Sequence, residues 1–397
     1  MTNLGYTQEN APQIALKPRE VSDADLAAVD LDRFWADQAV AIADPFGEHI
    51  PQCPLGIFMG DWCVFDELGV EEDLWRQETD DAWRVALNKA YNDRAEWIVG
   101  RRLLPETYTP PELRYPERGA LYTIFEGRNE WHSGAWWLTQ AANNEAELSA
   151  LLDRVERRLE GDLREVLLPE NWEREKARLL AEGIQPPLYR HQRGPCTFAA
   201  SIYGAENLIF LILDNPDLAG RFSRLILRSM LEMARIYDEE AGYTPETAPH
   251  GWSFADDNCV LLNPDMYKFF GYPVLKGMFD RYSPNPEDKR YQHSDSAMGH
   301  LVPIIGQLDM TGVNFGPTVM ADHIRKWMPH AAIYGVLAPF TFMRNDKFEI
   351  LRQFRRDFEL TRETKGLVFA TAGSINGGSA LTSLRLIMSA IQHEGRY

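Results

Sequence analysis

The sequence has no apolar run that approaches the roughly 18 residues needed to span a membrane. Its first twenty residues are polar and contain no apolar signal core, so we expect a flexible N-terminal tail on a cytoplasmic protein that is not bound to membranes. Cysteine is scarce as well. The four cysteines form no C-x-x-C pair, which argues against a disulfide scaffold and against a zinc finger.

Positive charge is also in deficit, with 41 basic residues against 59 acidic ones and a formal net charge of −18. Such an excess repels nucleic-acid phosphate and anionic lipid, so we expect no nucleic-acid partner. The sequence contains no Walker A motif, and no G-x-G-x-x-G follows a predicted strand. These absences disfavour a nucleotide-binding open sheet and leave a small molecule as the expected ligand.

What the sequence does contain is a regular alternation of strands and helices from residue 188 onward. The chain of 397 residues is 45% hydrophobic, enough for a sizeable core. Repeated βα units of this size predict a parallel sheet, and we favour a closed (β/α)₈ barrel (a TIM barrel) over an open sheet. The predicted strands of this half are 188–193, 251–255, 290–293, 313–316, 332–337 and 367–372.

The N-terminal half is less regular. Apolar spacing predicts helices over 23–46 and 79–101, and a short buried strand over 55–59. Residues 119–140 are predicted to form a β-hairpin, with strands 121–125 and 131–139. Its Trp131, Trp136 and Trp137 either form an aromatic wall for a substrate or pack against the barrel. Two highly charged helices, 144–160 and 169–182, follow the hairpin.

These patterns predict a domain organisation. Residues 1–50 form an N-terminal tail and helix, and residues 51–397 form the barrel. The hairpin and the charged helices are inserted at about 105–185.

Polar residues follow the predicted strands, and the segment Tyr291-Gln-His-Ser-Asp-Ser-Ala-Met-Gly is the most informative of them. His293 and Asp295 are two residues apart, so they point the same way from a strand end. Asp256 and Asp257 follow another strand. All are proton carriers and metal-ligand types, and a barrel brings such loops to one face. The alternative is a surface histidine with carboxylates that cap helices.

Several segments resemble the uroporphyrinogen decarboxylase superfamily. Gly194-Pro-Cys-Thr-Phe-Ala-Ala is similar to its G-P-F-T-L-A segment, and the chain from Asp256 to Lys276 is similar to its D-x-(3–7)-S-P-x-x-F-x-x-x-x-x-P segment. His293-Ser-Asp-Ser resembles H-x-[CD]-G, and Gly366–Ile375 resembles the last strand and loop. The resemblance is collinear over about 188–397 and implies a distorted (β/α)₈ barrel.

The chain departs from both well-known branches of that superfamily. The decarboxylases carry an arginine segment that binds the substrate carboxylates, whereas Met59-Gly-Asp-Trp has no arginine, and their late histidine is absent near Gly373. The zinc-dependent, corrinoid-linked methyltransferases use H-x-C and a later G-C as ligands. Here Asp295 replaces the first cysteine and Ser374 lies near the second.

Three functions therefore stay open. The first is metal-assisted methyl transfer, or demethylation, of a small methylated substrate. The second is metal-free decarboxylation or related acid–base chemistry on a small cyclic acid, and the third is a barrel that binds a small molecule without catalysis.

For the favoured first function, the expected catalytic and zinc-binding residues are Asp257, His293 and Asp295. The expected substrate-binding residues are Asp61, Trp62, Trp131, Trp136 and Ser374. The resemblance also implies a corrinoid on a separate partner protein, and a homodimer is the oligomeric state that we consider.

Overall fold

A computed structural model describes residues 14–397, which divide into two compact units. The first unit combines the described residues up to Tyr108 with Val313–Tyr397, and the second unit comprises Thr109–Gly312. The predicted N-terminal tail falls largely on residues 1–13, which lie outside the described residues. The predicted domain boundary near residue 50 stays a prediction.

The N-terminal part of the first unit is helical. Aspartates cap three of its four α-helices, because Asp30, Asp73 and Asp80 accept hydrogen bonds from the backbone N–H three residues further on. A 3₁₀ turn at Asp23–Asp25 precedes them. The helices are α1 (Leu31–Ala43), α2 (Cys63–Leu68), α3 (Leu74–Thr79) and α4 (Asp81–Val99).

The second unit contains a β-hairpin, a parallel sheet and the helices around them. Its elements are α5 (Leu121–Ile124), β1 (Asn129–His132), β2 (Ala135–Leu138), α6 (Glu145–Glu160), α7 (Arg164–Leu167), α8 (Trp172–Ala181), β3 (His191–Arg193), α9 (Pro195–Tyr203), α10 (Ala205–Asp214), α11 (Pro216–Glu240), β4 (Trp252–Ala255), α12 (Pro264–Phe270), α13 (Tyr272–Tyr282), β5 (Arg290–Ser294) and α14 (Val302–Ile305). Short 3₁₀ helices lie at Pro111–Leu113, Asp257–Leu261, Gly299–Leu301 and Gly306–Leu308.

The C-terminal part of the first unit continues the strand–helix alternation. Its elements are β6 (Gly312–Phe315), α15 (Ala321–Trp327), β7 (Ala332–Leu337), α16 (Pro339–Met343), α17 (Lys347–Thr361), β8 (Leu367–Thr371) and α18 (Leu381–Glu394).

In the second unit, β3, β4 and β5 are parallel neighbours in that order. Arg193 is paired with Ala255, and Ala255 with His293, so the three residues form one row across the strands. The aromatic residues of β4 pack on α13: the Trp252 and Tyr282 rings lie 5.2 Å apart, and the Phe254 and Phe279 rings 5.7 Å apart. The helix α13 therefore covers the face of the sheet on which Trp252 and Phe254 lie, and Ser253 and Ala255 lie on the opposite face.

In the first unit, β6, β7 and β8 also follow one another in sheet order, and β7 and β8 are parallel from Ile333 and Leu367 to Leu337 and Thr371. Phe354 of α17 packs edge-on against Phe369 of β8, with ring centroids 5.0 Å apart. The predicted strand 55–59 is reduced to one parallel bridge between Leu55 and Phe369.

Several predicted elements differ from the structure. The predicted strand 121–125 is wrong: it is the helical turn α5, where the Ala120 N–H donates to Thr123 Oγ1, and Glu126 then takes a left-handed φ of 59°. The hairpin lies instead at 129–138, with its turn at Ser133 and Gly134. Residues 264–282, between the predicted strands 251–255 and 290–293, form two helices that meet at Gly271.

The helix α9, which is separated from β3 by one residue, is not among the predicted elements. Pro195 occupies the start of this helix, where its missing N–H is not needed. The remaining predicted strands agree with β3, β4, β5, β6, β7 and β8 to within three residues at each end.

All four cysteines are buried and free. Within residues 14–397 no single helix is long and apolar enough to cross a membrane, whereas the bent pair α9 and α10, at 103° to each other, has the length and composition of a broken span.

The turn after α5 leads to a testable prediction about acid stability. Glu126 accepts bonds from Arg154 at 2.8 and 2.7 Å and from Arg158 at 2.5 Å, and Arg154 first and then Arg158 lower the pKa of its carboxyl to about 2, against the effect of burial. A depressed carboxyl pKa stabilises the fold above the ordinary value of 4.5, and this contribution disappears as pH falls from 4.5 towards 2. Because the side chain is 31% exposed, we expect Glu126→Gln to cost only about 1 kcal/mol in the free energy of unfolding at pH 7, and less at pH 3.

Urea unfolding of both proteins at the two pH values measures this difference. The exposed Glu160, changed to Gln, is the control and should shift stability at neither pH. An equal cost for Glu126→Gln at pH 7 and pH 3 contradicts the assignment.

Candidate functional site

Strand β5 positions the central histidine of the candidate site. Its residues alternate, with Gln292 and Ser294 buried on one face while Tyr291 and His293 lie on the other and are partly accessible. His293 is the last residue of β5 that pairs with β4, where it lies opposite Ala255. Asp295 follows the strand end and is exposed. The strand ends at Ser294, one residue later than the predicted end at His293.

The loop after β4 places two neighbouring aspartates in different surroundings. Asp256 is fully buried, and its carboxylate accepts bonds from the backbone N–H of Thr197 at 2.7 Å and of Cys196 at 3.4 Å, at the start of α9. Its own N–H donates to the His293 carbonyl at 2.9 Å. Burial raises the pKa of Asp256 to about 6, although these N–H donors act in the opposite direction. Asp256 therefore ties β4, β5 and α9 together.

Asp257, the next residue, is directed to the site instead. One of its carboxylate oxygens accepts the Asp295 N–H at 2.6 Å. His293 Nε2 lies 3.0 Å from Asp295 Oδ1. One ligand atom from each of Asp257, His293 and Asp295 can be chosen so that all three lie within 4.8 Å of one another. The structure thus brings together the three residues that were predicted from the sequence to be catalytic and metal-binding.

The helix α9, which the sequence pattern did not predict, supports this loop. The backbone N–H of Thr197 in α9 donates to the Asp256 carboxylate, and Thr197 Oγ1 accepts the Asn258 N–H at 2.9 Å. One turn further along the helix, Ser201 Oγ donates to the Thr197 carbonyl at 2.8 Å. The available signal was Pro195, separated from the strand by one residue, because proline is common at the first position of a helix. The α12 helix, by contrast, is capped by Asn263.

The free face of the sheet in the second unit is polar. Besides the row Arg193, Ala255 and His293, a second row consists of His191, Ser253 and Tyr291. His191 Nδ1 lies 3.1 Å from Ser253 Oγ, and burial, followed by Lys289 and His293, lowers the pKa of the His191 imidazole. Barrel interiors are usually filled with Val, Ile and Leu, so a face made of His, Arg, Ser and Tyr is suited to a polar ligand.

The tryptophan hairpin lies in the same unit. Trp131 and Trp136 are directly paired across β1 and β2, and their rings meet edge to face at 5.4 Å. Trp136 and Trp137 are about half exposed, at 45% and 53%. The rings are therefore not fully packed away, and a role in substrate binding for Trp131 and Trp136 stays a prediction.

Three further predicted substrate-binding residues lie in the first unit. Asp61 precedes α2, and its carbonyl accepts the Gln77 side-chain amide at 2.9 Å, while Trp62 is 46% exposed. Ser374 is exposed in the loop after β8. That loop is held by Asn314, whose Oδ1 accepts the Gly373 N–H at 3.0 Å and whose Nδ2 donates to the Thr371 carbonyl at 2.9 Å. Their contribution to the candidate site stays a prediction.

Two comparisons with known proteins are informative. Residues 174–393 match the family model described as uroporphyrinogen decarboxylase (URO-D). Among solved structures, the chain is similar to a methyltransferase from Methanosarcina mazei, with a TM-score of 0.54 and 16% sequence identity over 89% of this chain and 96% of the other. No curated protein matches the sequence. At this identity the structural likeness shows the fold alone, and together with the family match it confirms the predicted α/β barrel class.

Proposed function

Because the chain belongs to the uroporphyrinogen decarboxylase family, we propose that it catalyses metal-assisted methyl transfer from a small methylated compound. The substrate is demethylated, and the methyl group passes to a corrinoid carried by a separate protein. The observation that carries this proposal is the convergence of Asp257, His293 and Asp295, whose ligand atoms lie within 4.8 Å of one another.

The donor set fits zinc. Catalytic zinc sites use three protein ligands of the imidazole and carboxylate types and leave one position open. Ligand atoms on a tetrahedral zinc at bonds of about 2.0–2.1 Å are separated by about 3.3 Å. The 3.0 Å between His293 Nε2 and Asp295 Oδ1 is close to that spacing. Two carboxylates also balance the charge of a divalent cation, which favours binding of the ion over binding of a proton.

The backbone orients the Asp257 ligand and joins the two strand ends that carry the site. The Asp295 N–H holds one oxygen of Asp257, and the His293 carbonyl holds the N–H of Asp256 next to it. Partners of this kind orient the ligands of metal sites and typically contribute about 10- to 100-fold to metal affinity. When bound, such an ion supplies Lewis acidity to the heteroatom of the substrate.

The ligand types favour an oxygen-bearing leaving group, and the buried cysteines are unsuited to supply a thiolate. Burial raises the pKa of the Cys196 and Cys259 thiols, and it raises that of Cys63 to about 12. These thiols are therefore protonated at neutral pH and unsuited to act as nucleophiles. Oxygen and nitrogen ligands make a harder site than thiolates do, which suits a methyl ether.

The proposed methyl transfer breaks one bond of the methyl carbon and forms another. The bond between the methyl carbon and the ether oxygen breaks, and the oxygen keeps the bonding pair. The methyl carbon forms a new bond to the reduced acceptor, which supplies the electron pair, and a proton from water completes the alcohol. His293, Asp257 and Asp295 hold the reacting end, and the exposed side of Asp295 gives water access to it.

The proposal is tested by incubating zinc-loaded protein with free cob(I)alamin and a panel of methyl ethers, methyl thioethers and methylated amines. We expect methylcobalamin to form, as followed by its visible spectrum, with stoichiometric demethylated product, and Asp257→Asn to lower the rate at least about 100-fold. A protein that transfers no methyl group from any member, while releasing carbon dioxide from small cyclic acids in the presence of a chelator, would establish the metal-free decarboxylase instead.

A further inference from the structure

Arg193 lies in the same row as His293. The two residues flank Ala255 on adjacent parallel strands, so their side chains leave the same face of the sheet. Two strand spacings place them about 10 Å apart. The side chain between them, that of Ala255, is only a methyl group and fills little of the space between the guanidinium and the histidine.

Hydrogen bonds connect the Arg193 side chain to the loop that carries Asp257. Arg193 Nη1 donates to Ser201 Oγ at 3.2 Å, and Ser201 lies one helical turn from Thr197. Thr197 Oγ1 in turn accepts the N–H of Asn258, the residue after Asp257. The guanidinium therefore lies along the same polar face of α9 that supports the candidate metal ligands.

The guanidinium has unused hydrogen-bonding capacity. Arginine offers five N–H donors, and within residues 14–397 Arg193 has one acceptor, the neutral Ser201 hydroxyl, and no ion-pair partner. Several other arginines of this unit have carboxylate partners. Arg190, three residues earlier, lies 2.7 Å from the buried Asp238, and Arg221 is paired with Glu156. Within the described residues, other exposed arginines of this unit, such as Arg157, Arg224 and Arg228, also have no ion-pair partner, and Arg193 differs from them by its place in the row of His293.

We propose that Arg193 binds a carboxylate of the substrate and thereby sets its specificity. The inference rests on the proposed function for the reacting end of the molecule. The substrate class is then a methylated compound whose ether oxygen lies at Asp257, His293 and Asp295, and whose carboxylate lies at Arg193. Two aspartates with a divalent ion are neutral, so the single charge of Arg193 leaves the site suited to one anionic group.

The test uses a matched pair of probes, para-methoxybenzoate and its neutral amide, para-methoxybenzamide. Their binding to zinc-loaded protein is measured by titration calorimetry. We expect the carboxylate to bind about 10- to 100-fold more tightly than the amide, in keeping with hydrogen bonds to a charged group. Arg193→Gln should remove this preference while leaving the affinity for the amide unchanged, and Arg193→Lys should retain part of it.

Arg174→Gln is the matched control, because Arg174 is an exposed arginine of the same unit on α8, next to Glu175. It should leave the preference intact. The inference is overturned if the native protein binds the carboxylate no better than the amide, does not bind it at all, or keeps its preference in Arg193→Gln.

The outcomes also separate this inference from the proposed function. A preference that depends on Arg193, without transfer of methyl to cob(I)alamin, overturns only the proposed reaction. Methyl transfer from both probes with equal affinity overturns only the role of Arg193.

Discussion

Replacing His293 by alanine is expected to abolish stoichiometric zinc binding and methyl transfer while leaving the fold intact. Partners that only orient a ligand are typically worth about 10- to 100-fold in metal affinity, so loss of the ligand itself should cost at least about 100-fold. His293 is partly accessible at a strand end and is paired with the exposed Asp295, so its removal leaves that carboxylate in contact with water. Elemental analysis of protein purified without added metal measures the zinc content, and circular dichroism measures folding.

The chain offers a close control for this change. His250 forms a similar pair with Asp288, with Nδ1 and Oδ2 3.0 Å apart, in the same unit. His250→Ala should retain the zinc of the native protein. Equal zinc content in native protein, His293→Ala and Asp295→Ala would falsify the assignment of the metal ligands, whatever the activity of these variants. An unfolded His293→Ala variant would instead indicate that the histidine is structural.

The second large effect is expected at Gly194, the residue between β3 and α9. A Cβ at this position would lie 2.2 Å from Asp256 Cβ and 2.3 Å from its Cγ, far inside van der Waals contact. Asp256 has little freedom to move, because its carboxylate is held by Thr197 and Cys196 and its N–H by His293. Gly194→Ala is therefore expected to lower the free energy of unfolding by about 3 kcal/mol, the upper part of the usual range for overpacking.

The same substitution should also reduce zinc binding, because Asp257 follows Asp256 directly and moves with it. Urea unfolding and zinc content are the two measurements. Gly161→Ala is the control, since a Cβ there would lie 3.6 Å from its nearest neighbour and the residue has an ordinary φ of −92°. We expect that variant to change stability by less than about 0.5 kcal/mol. A Gly194→Ala protein as stable as the control, with full zinc content, is incompatible with the close packing described above.

Part of the fold could be predicted from local pattern alone. The strands β4, β5, β7 and β8 are short apolar or alternating runs between Gly, Pro and polar residues, and each was predicted to within two residues. The errors arose where a local pattern fits two structures. Residues 121–125 alternate like a strand, yet the Thr123 side chain accepts the Ala120 N–H and stabilises a helical turn.

In the candidate site, too, local pattern placed some residues and only the tertiary structure placed the others. The two-residue spacing of His293 and Asp295 after an extended segment was sufficient to place them on one side of a strand end, because side chains alternate along a strand. The sequence by itself thus determined the barrel class, the strand that carries His293, and Asp257 as a candidate site residue. Only the tertiary structure decided that Asp256 is buried against α9 while Asp257 faces His293, because the N–H groups that bind Asp256 belong to a helix about sixty residues earlier. It also brought Arg193 into the row of His293, since the pairing of β3, β4 and β5 joins residues one hundred positions apart.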